Sequence, residues 1–503
     1  MSKARNAQLS DEAMVRYLRR EASLLLGEHS VRWHRKEIED TVTDNDIIIV
    51  TGAPGCGKST QVPIFVSDLE FMRGKTVLCT QPHRMAAEEL SKYVRNIFNG
   101  SCFRVHGLLK SLSNGDENAI HGCNGITLQG AKAEDGTSGV AFLGADCQGA
   151  SDSTRIAYAS EMDVINAYRV AVSRKTDSAL GSEGALVPDA TVGCIVLDEA
   201  HARTVESDIL LSLASKAVGM GIKVVVMSAT IDSKAFSDYF ARDGNALCVG
   251  QVNIKDQRNW VDIMHVPPAV PFTGPTLAST VVSNITSCLR GSLCGPLKGN
   301  ILVFLPTDGH IEQAKRLLER STIARSMPND ATFTIVTMTD ADGHLEPASN
   351  LGSIDEDENS SGKPAGGARN KGRGRGKVAA YKNKNNEFVV YLATEFAETS
   401  LTIDGVTVVI DPGLRSASEF NAKTHLAHVS LKSISQASAE QRKGRAGRTR
   451  PGHCVRLYSH NQLKRFAPAN VAAVLCQPLQ TTVLCLASLG HSPSEFRWFD
   501  PPS

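Results

Sequence analysis

Apolar positions in this chain change rhythm several times, and each change marks an element. Over residues 10–26 they recur at helical spacing, at Met14, Leu18 and Leu24 to Leu26, with Arg19 and Arg20 on the polar side. From Asp46 short β-branched runs take over, and Ile47-Ile48-Ile49-Val50 leads straight into a glycine-rich turn. Comparable strand-like runs occupy residues 76–80, 155–159, 193–197 and 223–227. Helical patterns at 85–97 and 208–218 separate several of them. Apolar strands alternating with helices predict a parallel sheet covered on both faces.

A second series follows. Residues 300–305, 333–337, 388–391 and 406–410 read as strands, and 312–319 as a helix. The chain is therefore expected to hold two α/β units in tandem, joined near residues 247–258. Two stretches break the rhythm. Residues 99–139 are rich in Gly, Asn and Ser and read as a surface insertion. Residues 349–386 carry an acidic piece, Asp355 to Glu358, and then a Gly/Arg/Lys run from Arg369 to Lys377. Nothing in the latter can bury a core, so disorder is expected there. It reads equally as an RNA-touching insert and as a solvated spacer.

Composition narrows the picture modestly. The chain has 503 residues, enough for about three domains of ordinary size. Its formal net charge is +1, so any nucleic-acid surface must be a local patch. Twelve cysteines are scattered without a CxxC pair, which suits reduced thiols in an intracellular protein. No apolar run approaches the ~18 residues of a membrane span, and no secretory h-region is present at the N-terminus.

Three motifs carry chemistry. Gly52, Ala53, Pro54, Gly55, Cys56, Gly57, Lys58 and Ser59, followed by Thr60, fit G-x-x-x-x-G-K-[ST] after a predicted strand. Such a loop aims backbone N–H groups at phosphates, and the following helix adds the positive end of its dipole. Lys58 is expected on the β/γ-phosphates and the Ser59 hydroxyl on magnesium. Asp198-Glu199-Ala200-His201 ends the strand at 193–197, where a carboxylate faces the ligand crevice of a parallel sheet. There Asp198, with Glu199 beside it, is expected to hold magnesium, and Glu199 also to orient and deprotonate an attacking water. Gln441-Arg442-Lys443-Gly444-Arg445-Ala446-Gly447-Arg448 is the third motif. Arg445 and Arg448, three apart, would share one face of a helix and meet a polyphosphate, with Gln441 positioning the water.

In this order the motifs resemble those of the DEAH-box helicases of superfamily 2, from about residue 35 onward. Thr80 to Ala87 matches a motif that contacts the RNA backbone, which places Gln81 and Arg84 on RNA. Ser228-Ala229-Thr230 matches the motif coupling hydrolysis to unwinding, whose two hydroxyls can bond the neighbouring DEAH residues, and the resemblance implies a catalytic role for His201. Residues 393–405 resemble a motif touching both ligands, with Thr394 and Thr399 on RNA and Thr402 and Asp404 on nucleotide. Some positions depart from the family. Ser160-Glu161-Met162 stands where Thr-Asp-Gly or Thr-Glu-Gly is usual, and His83 where a second arginine is usual. Tyr93 and Leu345 align with the residues that sandwich the base. No upstream glutamine motif is present, which implies relaxed nucleotide choice.

The resemblance implies two tandem RecA-like parallel-sheet domains of the α/β class, with only the beginning of a C-terminal winged-helix region. The expected divisions are a helical extension at 1–27, a first domain at 28–247, a second at 248–470 and the start of the winged helix at 471–503. It further implies an ATP-dependent RNA helicase or ribonucleoprotein remodeller, using ATP or any NTP with Mg²⁺ and moving 3′ to 5′. The expected partners are single-stranded RNA, or a duplex with a single-stranded tail, and an activating protein, with no membrane. A monomer in the nucleus or the cytoplasm is expected. The rival reading is a non-enzymatic RNA-binding scaffold derived from a helicase; a DNA-directed translocase is a third.

Overall fold

A seven-stranded sheet organises each half of the protein in the computed structural model. The structure describes residues 30–95, 139–143, 154–175, 192–229, 233–241, 247–255, 259–272, 274–296, 299–321, 332–338, 346–347, 387–398, 403, 405–421, 423–424, 426–448 and 450–502. The helix expected at 10–26, nearly all of the 99–139 insertion and the whole 349–386 insertion lie outside them. So do Thr230, Leu345, Thr399, Thr402 and Asp404. The chain divides into two compact units, the first Met1–Gln257, Phe420–Ala427 and Val471–Ser503, the second Arg258–Glu419 and His428–Asn470.

The first unit holds β1 (Ile47–Gly52), β2 (Thr76–Gln81), β3 (Val140–Leu143), β4 (Ile156–Ser160), β5 (Val192–Leu197), β6 (Lys223–Ser228) and β7 (Val249–Ile254). Their order is β3-β4-β2-β5-β6-β1-β7, and every pairing is parallel. The run at Ile47 to Val50 forms the inner strand β1 because both of its faces are covered. Ile47 and Ile49 enter one core cluster with Ile209 and Leu213 of the helix Val205–Val218. Ile48 and Val50 enter another with Ile38 of the helix Arg35–Asp44 and Phe65 of the helix Lys58–Ser67. Full burial of such a side chain is worth roughly 1.5–3 kcal/mol, so the strand that carries the phosphate loop is firmly held.

The strand β7 falls inside the stretch expected as a junction, and it pairs with β1 along its length. Its polar Gln251 and Asn253 suit an edge strand and broke the apolar pattern. The first unit therefore continues past residue 247. Residues 471–502 also belong to it. Val474, Leu486, Leu489, Phe496, Trp498 and Phe499 are buried in the same core cluster as Ile209.

The second unit holds β8 (Val261–His265), β9 (Asn300–Phe304), β10 (Thr332–Met338), β11 (Glu346–Pro347), β12 (Glu387–Ala393), β13 (Val406–Asp411), β14 (Leu414–Asn421), β15 (Leu426–Ser433) and β16 (Gly452–Arg456), although the Phe420–Ala427 tip of the β14-β15 ribbon groups with the first unit. The sheet order is β11-β10-β12-β9-β13-β16-β8, with β14 and β15 forming a separate two-stranded sheet. Within the seven-stranded sheet β11 runs antiparallel to β10, and the other described pairings are parallel. The helices Gly274–Leu289 and Asp308–Arg320 cover one face. These two parallel-sheet α/β units match the expected tandem RecA-like fold class. Among the described residues no helix is long and apolar enough to cross a membrane.

Candidate functional site

Strands β5, β6 and β1 are neighbours, so the loops at their C-terminal ends lie side by side. Ligands of open parallel sheets bind outside these ends. From β1 the chain turns through Ala53, Pro54, Gly55 and Cys56 to Gly57, where the helix Lys58–Ser67 begins. Gly57 has φ 96° and Gly55 φ 85°, a region that costs glycine little and other residues much. At Gly52 a side chain would stand 2.8 Å from Ile254 Cβ, so the loop leaves the sheet only as glycine. The Lys58 side chain is buried and folds back over the loop. Its ammonium donates to the Gly52 carbonyl and, at 3.1 Å, to that of Ala53. The Thr60 hydroxyl donates to the Gly57 carbonyl at 3.2 Å, which ties the first helical turn to the loop. Helix start, glycine turn and lysine thus converge in the arrangement that a polyphosphate cradle requires.

The carboxylates follow β5. Asp198 is buried, accepts from Gln81 Nε2 at 2.7 Å through Oδ2, and bonds the Ser59 side chain. Burial pushes its carboxyl up to about 6 and Glu199 adds to this, while Ser59, Gln81 and Lys58 pull it back. A nearby cation would relieve that penalty. The Asp198 and Ser59 oxygens form a hard donor set that fits magnesium. Among the described residues no three His, Cys, Asp or Glu converge as a metal site of another kind, and all nine described cysteines are free thiols. The Glu199 N–H donates to Asp198 Oδ1 at 2.9 Å, and Glu199 sits in the left-handed region at φ 53°. His201 Nδ1 lies 3.1 Å from Ser228 Oγ and 3.4 Å from Glu199 Oε2. Ser228, at the end of β6, therefore touches the DEAH loop; Thr230 is outside the described residues.

The residues expected on RNA meet different surroundings. Gln81 is buried and committed to Asp198. The Arg84 guanidinium lies 5.7 Å from the Phe142 ring centre. Thr394 is buried just past β12, and its Oγ1 has no hydrogen-bond partner among the described residues. The departing triplet Ser160-Glu161-Met162 turns largely inward. Ser160 Oγ donates to Asp163 Oδ2 at 2.7 Å, and buried Glu161 accepts the Thr204 hydroxyl at 2.6 Å.

In the second unit the helix Gln436–Lys443 stops before the arginines, so Arg445 and Arg448 lie in the turns beyond it. The shared helical face expected from their spacing does not form. Gly447 explains the course of the chain: a side chain there would stand 2.7 Å from Val261 Cγ2 and 2.8 Å from the Asn259 carbonyl. Gln441 is buried, and so is Arg445, whose guanidinium donates to the Glu398 carbonyl. Arg442, inside the same motif, has a structural role that the motif's spacing does not reveal. It is buried between Glu398 (2.7 Å) and Asp411 (2.8 Å) and packs 4.6 Å from the Phe304 ring centre. Tyr458 OH also donates to Asp411, at 2.7 Å. The signal was an extra arginine inside a basic motif, with its acidic partners 44 and 31 positions away.

No protein-family profile matches the chain. It is 26% identical over 497 residues to the ATP-dependent RNA helicase DEAH12, chloroplastic, of Arabidopsis thaliana, covering 96% of this chain and 22% of that relative. The chain thus spans about a fifth of that relative's length. Among solved structures it resembles the Escherichia coli DEAH/RHA helicase HrpB, with a TM-score of 0.63 at 19% identity over 95% of this chain and 48% of the other. A second structure, of the E. coli DExH-box NTPase HrpB, gives a TM-score of 0.60 at 19% identity, over 95% and 47%.

Proposed function

We propose that this chain, which is similar to an ATP-dependent RNA helicase over 96% of its length, hydrolyses ATP, or NTPs more generally, to remodel or unwind RNA. The observation that carries this reading is the meeting of Ser59, Asp198 and Gln81 beside the phosphate loop, with Glu199 next in line and His201 on Ser228. A scaffold would have no need of that arrangement.

In the proposed cycle the loop N–H groups and Lys58 hold the triphosphate. Ser59 and Asp198 would hold magnesium, which would supply charge neutralisation at the phosphate oxygens. Glu199 orients the attacking water and takes its proton. Gln441, Arg445 and Arg448 act on the same phosphates, and an arginine so used is worth roughly 10³–10⁵ in rate. For Arg445 this requires release from the Glu398 carbonyl. Thr402 and Asp404 contact the nucleotide. RNA runs over Arg84, Thr394 and Thr399, chiefly through phosphates and sugars, so sequence preference is low. Gln81 serves RNA only indirectly, through Asp198. His201 and Ser228 pass the state of the site on to RNA movement, in the 3′-to-5′ direction.

Duplexes with a 3′ or a 5′ single-stranded tail test this reading, with phosphate release followed in the same samples. RNA-stimulated release together with separation of the 3′-tailed duplex is expected. Release without separation of either duplex would reduce the protein to an RNA-stimulated NTPase. Separation of only the 5′-tailed duplex would reverse the proposed direction.

A further inference from the structure

Among the described residues only two other than glycine adopt the left-handed region, Glu199 at φ 53° and Arg203 at φ 49°. They bracket the DEAH loop at both ends. Left-handed backbone at such residues persists only where the surroundings impose it. At the first end Asp198 imposes it, by accepting the Glu199 N–H. At the second end the partners come largely from far along the chain. The Arg203 carbonyl accepts from the Ala473 N–H at 2.9 Å. Its guanidinium bonds Asp208 at 3.0 and 3.1 Å and Asp500 at 2.8 Å. It also lies 4.1 Å from the Phe499 ring centre.

Phe499 is itself fixed by Phe236 at 4.5 Å and Tyr239 at 5.0 Å, and Tyr239 OH donates to the Arg497 carbonyl at 3.0 Å. Residues 497–500 therefore run from an anchored aromatic cluster to the end of the DEAH loop. Asp208 alone, bonded through both oxygens, already balances the Arg203 charge. The second carboxylate, 43% exposed, adds little to stability at such a surface. Its evident effect is to fix where the arginine, and with it the loop, sits.

We propose that Arg203 is a positioning residue which, held by Asp500 and Phe499, keeps Glu199 and His201 in their working placement, so that docking of residues 471–502 sets the rate of hydrolysis. The inference rests on the hydrolytic reading of Glu199. It assigns the C-terminal segment a role in the chemistry of the first unit.

The test compares Asp500→Ala, Asp500→Glu and the unaltered chain. Steady-state NTP turnover is measured with single-stranded RNA present, and amide hydrogen exchange is followed over residues 199–204. For Asp500→Ala, kcat is expected to fall on the order of tenfold with KM little changed, as for a small misplacement of reacting groups. Exchange at 199–204 should quicken, and Asp500→Glu should recover most of both. Unchanged kcat and unchanged exchange in Asp500→Ala, even with a lowered melting temperature, would overturn the proposal. If the unaltered chain shows no turnover, it is the hydrolytic reading that fails, and with it the kinetic part of this one. The exchange comparison still decides whether Asp500 holds the loop.

Discussion

Glu161 is a carboxyl group that the fold keeps as an acid. Burial, reinforced by Glu206 and Asp208 and opposed by the Thr204 hydroxyl, pushes it from 4.5 to about 8. Between those values the folded chain retains a proton that the unfolded chain has released, so this group's contribution to stability falls as pH rises through that window. Glu161→Gln keeps the shape and still accepts from Thr204. In urea unfolding the variant should approach the unaltered chain's stability towards pH 4 and exceed it at pH 8, by roughly 4 kcal/mol. A variant less stable at pH 8 would contradict this. Gly57→Ala tests the loop in a similar way. At φ 96° it should weaken nucleotide binding sharply, and affinity equal to the unaltered chain would show that the glycine is dispensable. At this scale the sequence was most legible where motif spacing fixes position, as at Lys58, Ser59 and Asp198, which the fold brings to adjoining loops. It was least legible at Gln81, whose partner Asp198 lies 117 positions away and is joined to it only by the pairing of β2 with β5.

Elements are held by buried charge as well as by apolar cores. Arg442 ties the helix Gln436–Lys443 to Glu398 beyond β12 and to Asp411 at the end of β13. The Arg442→Ala change would leave two buried carboxylates without their cation, a loss of about 3–5 kcal/mol. Denaturant unfolding of the second unit should show it; a loss below ~1 kcal/mol would mean that water reaches the site and the pair is weakly coupled. The inner strands β1, β2, β5 and β6 were readable because both faces are covered and their apolar runs are nearly continuous. By contrast β7 and β16 carry glycine and polar residues, and pairing with β1 and β13 makes them strands. The basic motif misled for a related reason. Its spacing suits a helix, but the approach of Gly447 to Val261 turns the chain first.

For the whole molecule, the first unit is built from distant stretches of sequence. The apolar residues of 471–502 stand in the sequence without a partner in view, because the face that receives them exists only after the helices Val205–Val218 and Ser233–Ala241 have packed. Phe499→Ala should cost the first unit about 3 kcal/mol or more, through the cavity left beside Phe236 and Tyr239. Scanning calorimetry would show a lowered transition, and an unshifted one would mean that the C-terminal segment packs without contributing to stability.

The central claim is hydrolysis at Glu199 on a nucleotide held by Lys58. Nucleotide affinity and RNA-stimulated phosphate release should be measured together for the unaltered chain and for Glu199→Gln. The account predicts comparable binding in both, and turnover lost by at least about 10² in the variant, the lower end of what a positioned general base supplies. Equal phosphate release from the two proteins, or none from either, would contradict it.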